Sequence, residues 1–307
     1  MSTENMLSIL PQEISTKALH SYLLGAIAPR PIAFASTVDK DNRPNLSPFS
    51  FFNIFSASPP ILIFSPARSG RTGANKNTYE NVKEVPEVVI NMVSYNLVQQ
   101  CSLSSTEYPK GVNEFEKAGL TPIASDLIRP FRVKESPVQL ECKVNQVIEL
   151  STAPGSGNLI ICEIIKVHID KSVLDEQGNI DPQKIDLVAR MGANYYCRAS
   201  GSSVFEVEKP LAQIGVGVDA IPASIRNSNV LTGNELGILG NVAQLPSLEE
   251  IVQFKTLHLT DIYGTFNGKE KGEISPELTT LVHLKAKAFL GKNDTDSAWL
   301  TLLSSTI

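Results

Sequence analysis

The sequence predicts a mainly β protein with some helices: a β-barrel followed by a mainly helical C-terminal extension. Three observations lead there. Short apolar, β-branched runs of strand length recur through the first 170 residues; turn-rich stretches separate them, with few helical signals between; and after about residue 209 the pattern changes to capped, amphipathic helices. The expected division is a domain over 1–209 and an extension over 210–307.

Taken in order, "IAFASTV" (32–38) reads as a strand, and "DKDNRPN" supplies the Asp and Asn of a tight turn, so that 32–38 and 45–55 make a β-hairpin. Residues 61–65 and 87–93 are strand-length apolar runs. Between them "NTYENVKEV" reads as a short helix, with Asn77 as cap and Glu80 reaching back. "VNEFEKAGLTPI" is a short helix closed by Gly119, with Pro122 preventing its continuation. Two longer β-branched stretches, 138–149 and 158–170, flank the turn cluster "STAPGSG". In the extension, Ser247 and Glu250 have capping-box spacing, and Ser275 and Pro276 begin another helix. The stripes Leu248, Ile251, Val252 and Leu278, Leu281, Val282, Phe289 are expected to pack against the barrel or a second subunit.

At 307 residues and 42% hydrophobic content the chain can bury a sizeable core. With 27 basic and 32 acidic residues, a net charge of -5 and no basic stripe, it is not expected to bind nucleic acid. Neither a signal peptide nor an apolar run of about 20 residues is evident, so no membrane association and a cytoplasmic location are expected. Cys101, Cys142, Cys162 and Cys197 form no C-x-x-C and read as structural thiols; the histidines are dispersed, and no metal site is expected.

Two stretches carry chemistry. "NLSPFSFFN" (45–53) combines strand-forming phenylalanines with Pro48, Ser47, Ser50 and Asn53. A proline is tolerated on a sheet edge or at a bulge, so backbone groups nearby should be free for a ligand, although taken alone the stretch fits a bulged edge strand in an ordinary core better. "SPARSGRTGANKNTYENVKE" (65–84) takes a strand end through a Gly-rich basic loop into a helix start, a setting that stabilises an anion; Arg68, Arg71 and Lys76 add charge and Thr78 a hydroxyl. It is not a P-loop: Asn75 stands where the second glycine would be and Asn77 where the Ser or Thr would hold magnesium. "GVGVDA" lacks the third glycine of a dinucleotide fingerprint. In "EIIKVHID", alternation puts Ile164, Lys166, His168 and Asp170 on one face, leaving His168 as either a solvated strand residue or a functional one.

The ordered series "APRPIAFASTVDKDNRPNLSPFSFFN", "KNTYENVKEVPEVVIN", "KGVNEFEKAGLTP", "VQLECKV", "EIIKVHID" and "RMGANYY" closely resembles the flavin reductase-like family of FMN-binding split barrels, over roughly residues 20–200. The resemblance implies a split β-barrel of Greek-key type, bound FMN and a homodimer. It places Ser47, Pro48, Phe49, Ser50, Phe52 and Asn53 along the isoalloxazine ring, and Ser65, Lys76, Asn77 and Thr78 at the phosphate, where the family usually has Lys-Asp-Thr. Arg71, in a variable loop, and Arg190 are further binding candidates, and His168 is the candidate for contact with the flavin or the hydride donor. The activity implied is that of an NAD(P)H-dependent flavin reductase, with NADH or NADPH as donor and oxygen, a partner protein or another acceptor downstream. The alternatives are a flavoredoxin-like electron carrier reduced by a partner protein, and a binding protein with an empty barrel.

Overall fold

The computed structural model of the chain describes residues 5–207, 209, 214–264 and 275–307. The apolar runs form β1 (Ala33–Val38), β2 (Pro44–Phe49), β3 (Phe52–Ala57), β4 (Pro60–Phe64), β5 (Glu87–Asn91), β6 (Pro122–Ile123), β7 (Arg132–Val133), β8 (Val138–Glu149), β9 (Asn158–Ile169), β10 (Val188–Arg190) and β11 (Tyr196–Arg198). Seven of these make one antiparallel sheet in the order β2-β1-β5-β8-β9-β4-β3; β6 pairs with β7 and β10 with β11. The pairings of β1 with β5 and of β4 with β9 join strands distant in sequence, which gives the sheet its Greek-key character. Its two edge strands, β2 and β3, are separated only by Ser50 and Phe51, so the barrel is split where the chain reads "NLSPFSFFN". The expected 45–55 strand is therefore two strands with the break between them.

Helices α1 (Thr16–Ala26), α2 (Asn77–Glu84), α3 (Val98–Leu103), α4 (Glu114–Ala118) and α5 (Pro182–Ile185) accompany the sheet. The chain divides into two compact units, Met1–Phe205 and Glu206–Ile307. In the first, both faces of β1 are buried: Ala33 and Ala35 face a core with Phe64, Ile90, Cys142 and Cys162, while Phe34 faces another with Leu46, Leu97 and Phe115. Burial pushes the Cys101 thiol up to about 12 and raises Cys142 and Cys162 as well, in keeping with inert core thiols. α4 ends at Gly119, whose φ of 65° lies in the left-handed region.

The second unit holds α6 (Ala223–Arg226), α7 (Gly233–Gly240), α8 (Leu248–His258), α9 (Thr260–Gly264), α10 (Pro276–Leu290) and α11 (Thr295–Leu303). The capping box at Ser247 and Glu250 and the Ser275 cap form as read. The unit builds its own core, however. Ile251 joins Leu239, Leu290, Trp299 and Leu302, whereas Leu248, Val252 and Leu281 stay exposed. Trp299 is buried, and its indole N–H donates to the Leu239 carbonyl at 3.1 Å.

The β8–β9 ladder contains a register shift between Glu141 and Cys142, where Glu141 pairs with Lys166 but Cys142 with Ile164. Ile165 is thus a bulge residue, and the alternation expected from Ile164 through His168 is broken there. Lys166 and His168 are redirected toward a buried carboxylate. Glu141 accepts from the Asp126 and Leu127 amides at 2.8 Å and pairs with His168 Nε2 at 2.7 Å, while Lys166 binds Asp126. Burial raises the Glu141 pKa, but the Asp126 amide, the His168 imidazole and the Leu127 amide outweigh it and hold the carboxyl below its usual range. Asp126, Glu141 and His168 bring a ligand atom each within 4.8 Å of one another, and Lys166 and Arg132 supply the positive charge there.

Glu141→Gln should therefore cost about 2–3 kcal/mol at pH 7, because one charged acceptor serves two amides and an imidazole. His168→Ala, which removes one of these partners, should cost less. The folded-state pKa is depressed, so the contribution is present above the unfolded value of about 4.3 and lost as pH falls through the lower folded value. Urea midpoints should show the gap between wild type and Glu141→Gln narrowing below about pH 4; an equal gap at pH 3 and pH 7 would mean that charge is not the source.

Candidate functional site

A cleft of ≈ 200 Å³ opens where the start of β2, the loop from β4 into α2, and the segment from α3 into α4 come together. Its walls are largely polar: Asn45 and Ser47 from β2, Asn75 to Thr78 from the helix start, Ser104 to Tyr108 from the third segment, and Glu114.

The loop is held by the barrel. Asn158, fully buried at the start of β9, donates to the Pro66 carbonyl at 3.1 Å and to Asn75 Oδ1 at 3.2 Å. The Arg68 amide donates to Ser156, and its guanidinium reaches the Gly73 carbonyl and Glu149. Gly73 has φ 71°, which a side chain would strain. On the far side of the loop, the Tyr79 hydroxyl donates to Glu149 at 2.5 Å; burial, then this carboxylate, pushes its pKa up to about 12.

The helix that follows begins one residue earlier than the cap pattern suggested. Lys76, with extended backbone, is the N-cap and Asn77 the first helical residue, and no side chain caps the first turn. The expected reciprocal bonding of Asn77 and Glu80 does not form, so the positive end of α2 has no built-in acceptor. Thr78, almost fully buried, accepts from Asn45 Nδ2 at 2.9 Å, which leaves its hydroxyl proton free to be donated. Asn45 also reaches Thr37, to which Asn81 donates at 3.1 Å, so α2 is tied to β1 and β2 beneath the cleft.

Along β2 the pairing with β1 continues through Pro48, opposite Phe34. The Leu46 amide donates away from β1, to Glu114 Oε2 at 3.0 Å. By two-residue alternation Pro44 and Pro48 face the same outer side, where neither has an N–H. From Pro44 to Pro48 the outer edge therefore offers carbonyl acceptors and no free amide. Pro48 thus removes a donor from this stretch of the edge without interrupting the pairing with β1. Glu114 is itself buried, and burial raises its pKa despite the Leu46 amide.

Of the residues singled out in the sequence, the cleft brings together Ser47, Lys76, Asn77 and Thr78. Pro48, Phe49, Ser50, Phe52 and Asn53 run along the split beyond it. Phe49 packs on Phe64, with ring centroids 5.7 Å apart, and Phe52 also faces the core. Ser50 accepts from Arg30, and the exposed Asn53 accepts from the Ile54 amide. Ser65 is buried at the root of the loop, its amide on the Phe51 carbonyl. Arg71 is exposed and pairs with Glu107. Arg190 donates to Ala193 and lies over the Tyr196 ring, 4.6 Å from its centroid. Neither Arg190 nor His168 lines the cleft; His168 is engaged by Glu141 as described above.

Sequence reading passed over Asn45, Glu107, Glu114 and the buried Arg30, which donates to the Leu24, Ile27 and Met191 carbonyls. Asn45 opens "NLSPFSFFN" and Glu114 sits in "VNEFEKAG", both quoted for other reasons. Glu107 has no local signal, because its partners lie more than thirty residues away.

Comparison with known proteins matches these features. The flavin reductase like domain profile covers residues 25–188, more than half of the chain. An uncharacterized protein of Aquifex aeolicus is 35% identical over 196 residues, spanning 64% of this chain and 97% of that protein. Nitrilotriacetate monooxygenase component B from Bacillus cereus superposes with a TM-score of 0.61 at 30% identity, over 66% of this chain and 98% of its own. Flavoredoxin of Desulfovibrio vulgaris shares the fold, with a TM-score of 0.53 at 24% identity over 67% and 98% of the two chains. A split antiparallel barrel with a profile match across most of its strands identifies the chain as a member of the flavin reductase-like family.

Proposed function

We propose that the protein is an FMN-binding oxidoreductase in which NADH or NADPH reduces the flavin and the reduced flavin passes electrons to a further acceptor. The observation that carries the FMN assignment is the cleft, where an uncapped helix start, the Lys76 ammonium and the Thr78 hydroxyl converge beside an open sheet edge. That donor set suits a terminal phosphate monoester. In this reading Lys76, Thr78 and the first turn of α2 hold the phosphate, and Ser47 with the segment through Asn53 lies along the ring. The β2 edge, with carbonyls and no amides, favours a ligand group that donates, such as an imide N–H. Bound FMN would supply hydride acceptance and one- or two-electron transfer; the chain's residues bind and orient it. Ser65 and Arg71 support the loop, and Arg190 and His168 receive no direct part.

The flavoredoxin-like reading, an electron carrier reduced by a partner protein, differs only in the donor. Anaerobic mixing with NADH or NADPH separates the two: rapid bleaching of the flavin absorbance is expected, and bleaching by a reduced partner protein alone would favour the carrier.

Lys76→Ala combined with Thr78→Ala should weaken FMN by roughly one to two decades per lost contact while barely affecting riboflavin, since charge-assisted bonds are worth about 1.5–3 kcal/mol. Equal losses for both ligands in equilibrium titrations would make the loop a structural element. FMN should also bind more tightly than FAD, whose adenylate needs further room.

A homodimer is the proposed assembly. β3 leaves Ile54 and Phe55 about 60% exposed, with Phe51 also open beside them, and apolar side chains grouped on an unpaired edge favour a covering partner. Sedimentation at several concentrations should give a dimer mass; a monomer with tightly bound flavin would contradict this.

A further inference from the structure

The cations nearest the proposed phosphate position are already engaged. Lys76 Nζ lies 2.5 Å from one oxygen of Glu107, and Arg71 Nη2 lies 3.1 Å from the other. Glu107 and Lys76 both line the cleft. The other acid there, Glu114, spends an oxygen on the Leu46 amide and pairs with no cation among the described residues. A carboxylate bridging two cations has the charge sign, the paired oxygens and the partners that a phosphate would have. A dianion brought to Lys76 would meet a like charge within a few ångströms.

Resting on the phosphate reading above, we infer that Glu107 is a built-in competitor for the phosphate end of the ligand, which must leave Lys76 before a phosphate monoester can take its place. The pair is suited to this. Glu107 is half exposed and Arg71 largely so, so that separating the charges costs little in water. Arg71, outside the cleft lining, can keep the carboxylate after Lys76 releases it. The consequence is a lowered affinity specific to phosphate-bearing flavins, which favours a flavin that exchanges over one that is retained.

The test is equilibrium titration of apo wild type, Glu107→Gln and Glu107→Ala with FMN and with riboflavin, and displacement by inorganic phosphate. Both substitutions should tighten FMN roughly three- to tenfold, the range of an exposed ion pair plus relieved repulsion, leave riboflavin unchanged, and slow FMN dissociation by a similar factor. FMN affinity that falls or stays the same in both variants overturns the inference, as does equal tightening of riboflavin. If wild type binds FMN and riboflavin equally and inorganic phosphate displaces neither, the phosphate reading itself fails and the inference falls with it.

Discussion

The sheet stops short of closing, and the rest of the first unit follows from that constraint. Strands β2 and β3 leave the same short segment in different directions and never pair with each other. β2 is prepared for life at an edge: two prolines remove donors from its outer side, and the remaining amide between them is taken by Glu114. Closing the barrel across this gap would require N–H groups that β2 does not have. The opening is thus written into the covalent chemistry of the strand, and the polar cleft begins at its first residues.

Rigidity at the cleft comes from the long β8–β9 hairpin. Its far end grips the loop from β4 into α2 through Asn158, Ser156 and Glu149, and its other end is fixed by Glu141 and His168. The loop itself is largely polar and carries Gly73 in a left-handed conformation, so it has little intrinsic preference for one shape. Three distant backbone and side-chain anchors supply what its own sequence lacks, and a helix terminus without a cap costs less when a ligand can serve it.

Local signals were legible where their physics is local. Turn chemistry at Asp39 and Gly155, the Gly119 stop, and the caps at Ser247 and Ser275 all depend on a few neighbouring residues, and each appears in the structure. The same grammar could have found α7, whose Thr232 and Glu235 form a second capping box. α1 was missed because none of its residues is buried and its apolar spacing is weak evidence without a packing face. The cap of α2 was displaced by one residue because loop anchoring, through Asn75 and Asn158, decides which residue is extended. Ile164 does not share the face of Lys166 and His168, as simple alternation implied, because a bulge at Ile165 reverses the alternation, and a bulge leaves no mark in the residue types. Glu107 reaches its partners only through the fold.

The separate core of the second unit has a practical consequence. The chain has a single tryptophan, and Trp299 sits within that core with its indole N–H tied to Leu239. Intrinsic indole emission therefore reports on the integrity of Glu206–Ile307 alone, whereas the long-wavelength absorbance of a bound flavin would report on the barrel. With flavin bound, the two units would carry spectrally distinct reporters, so their melting could be followed in one sample, and whether they lose structure together or in sequence would be directly visible.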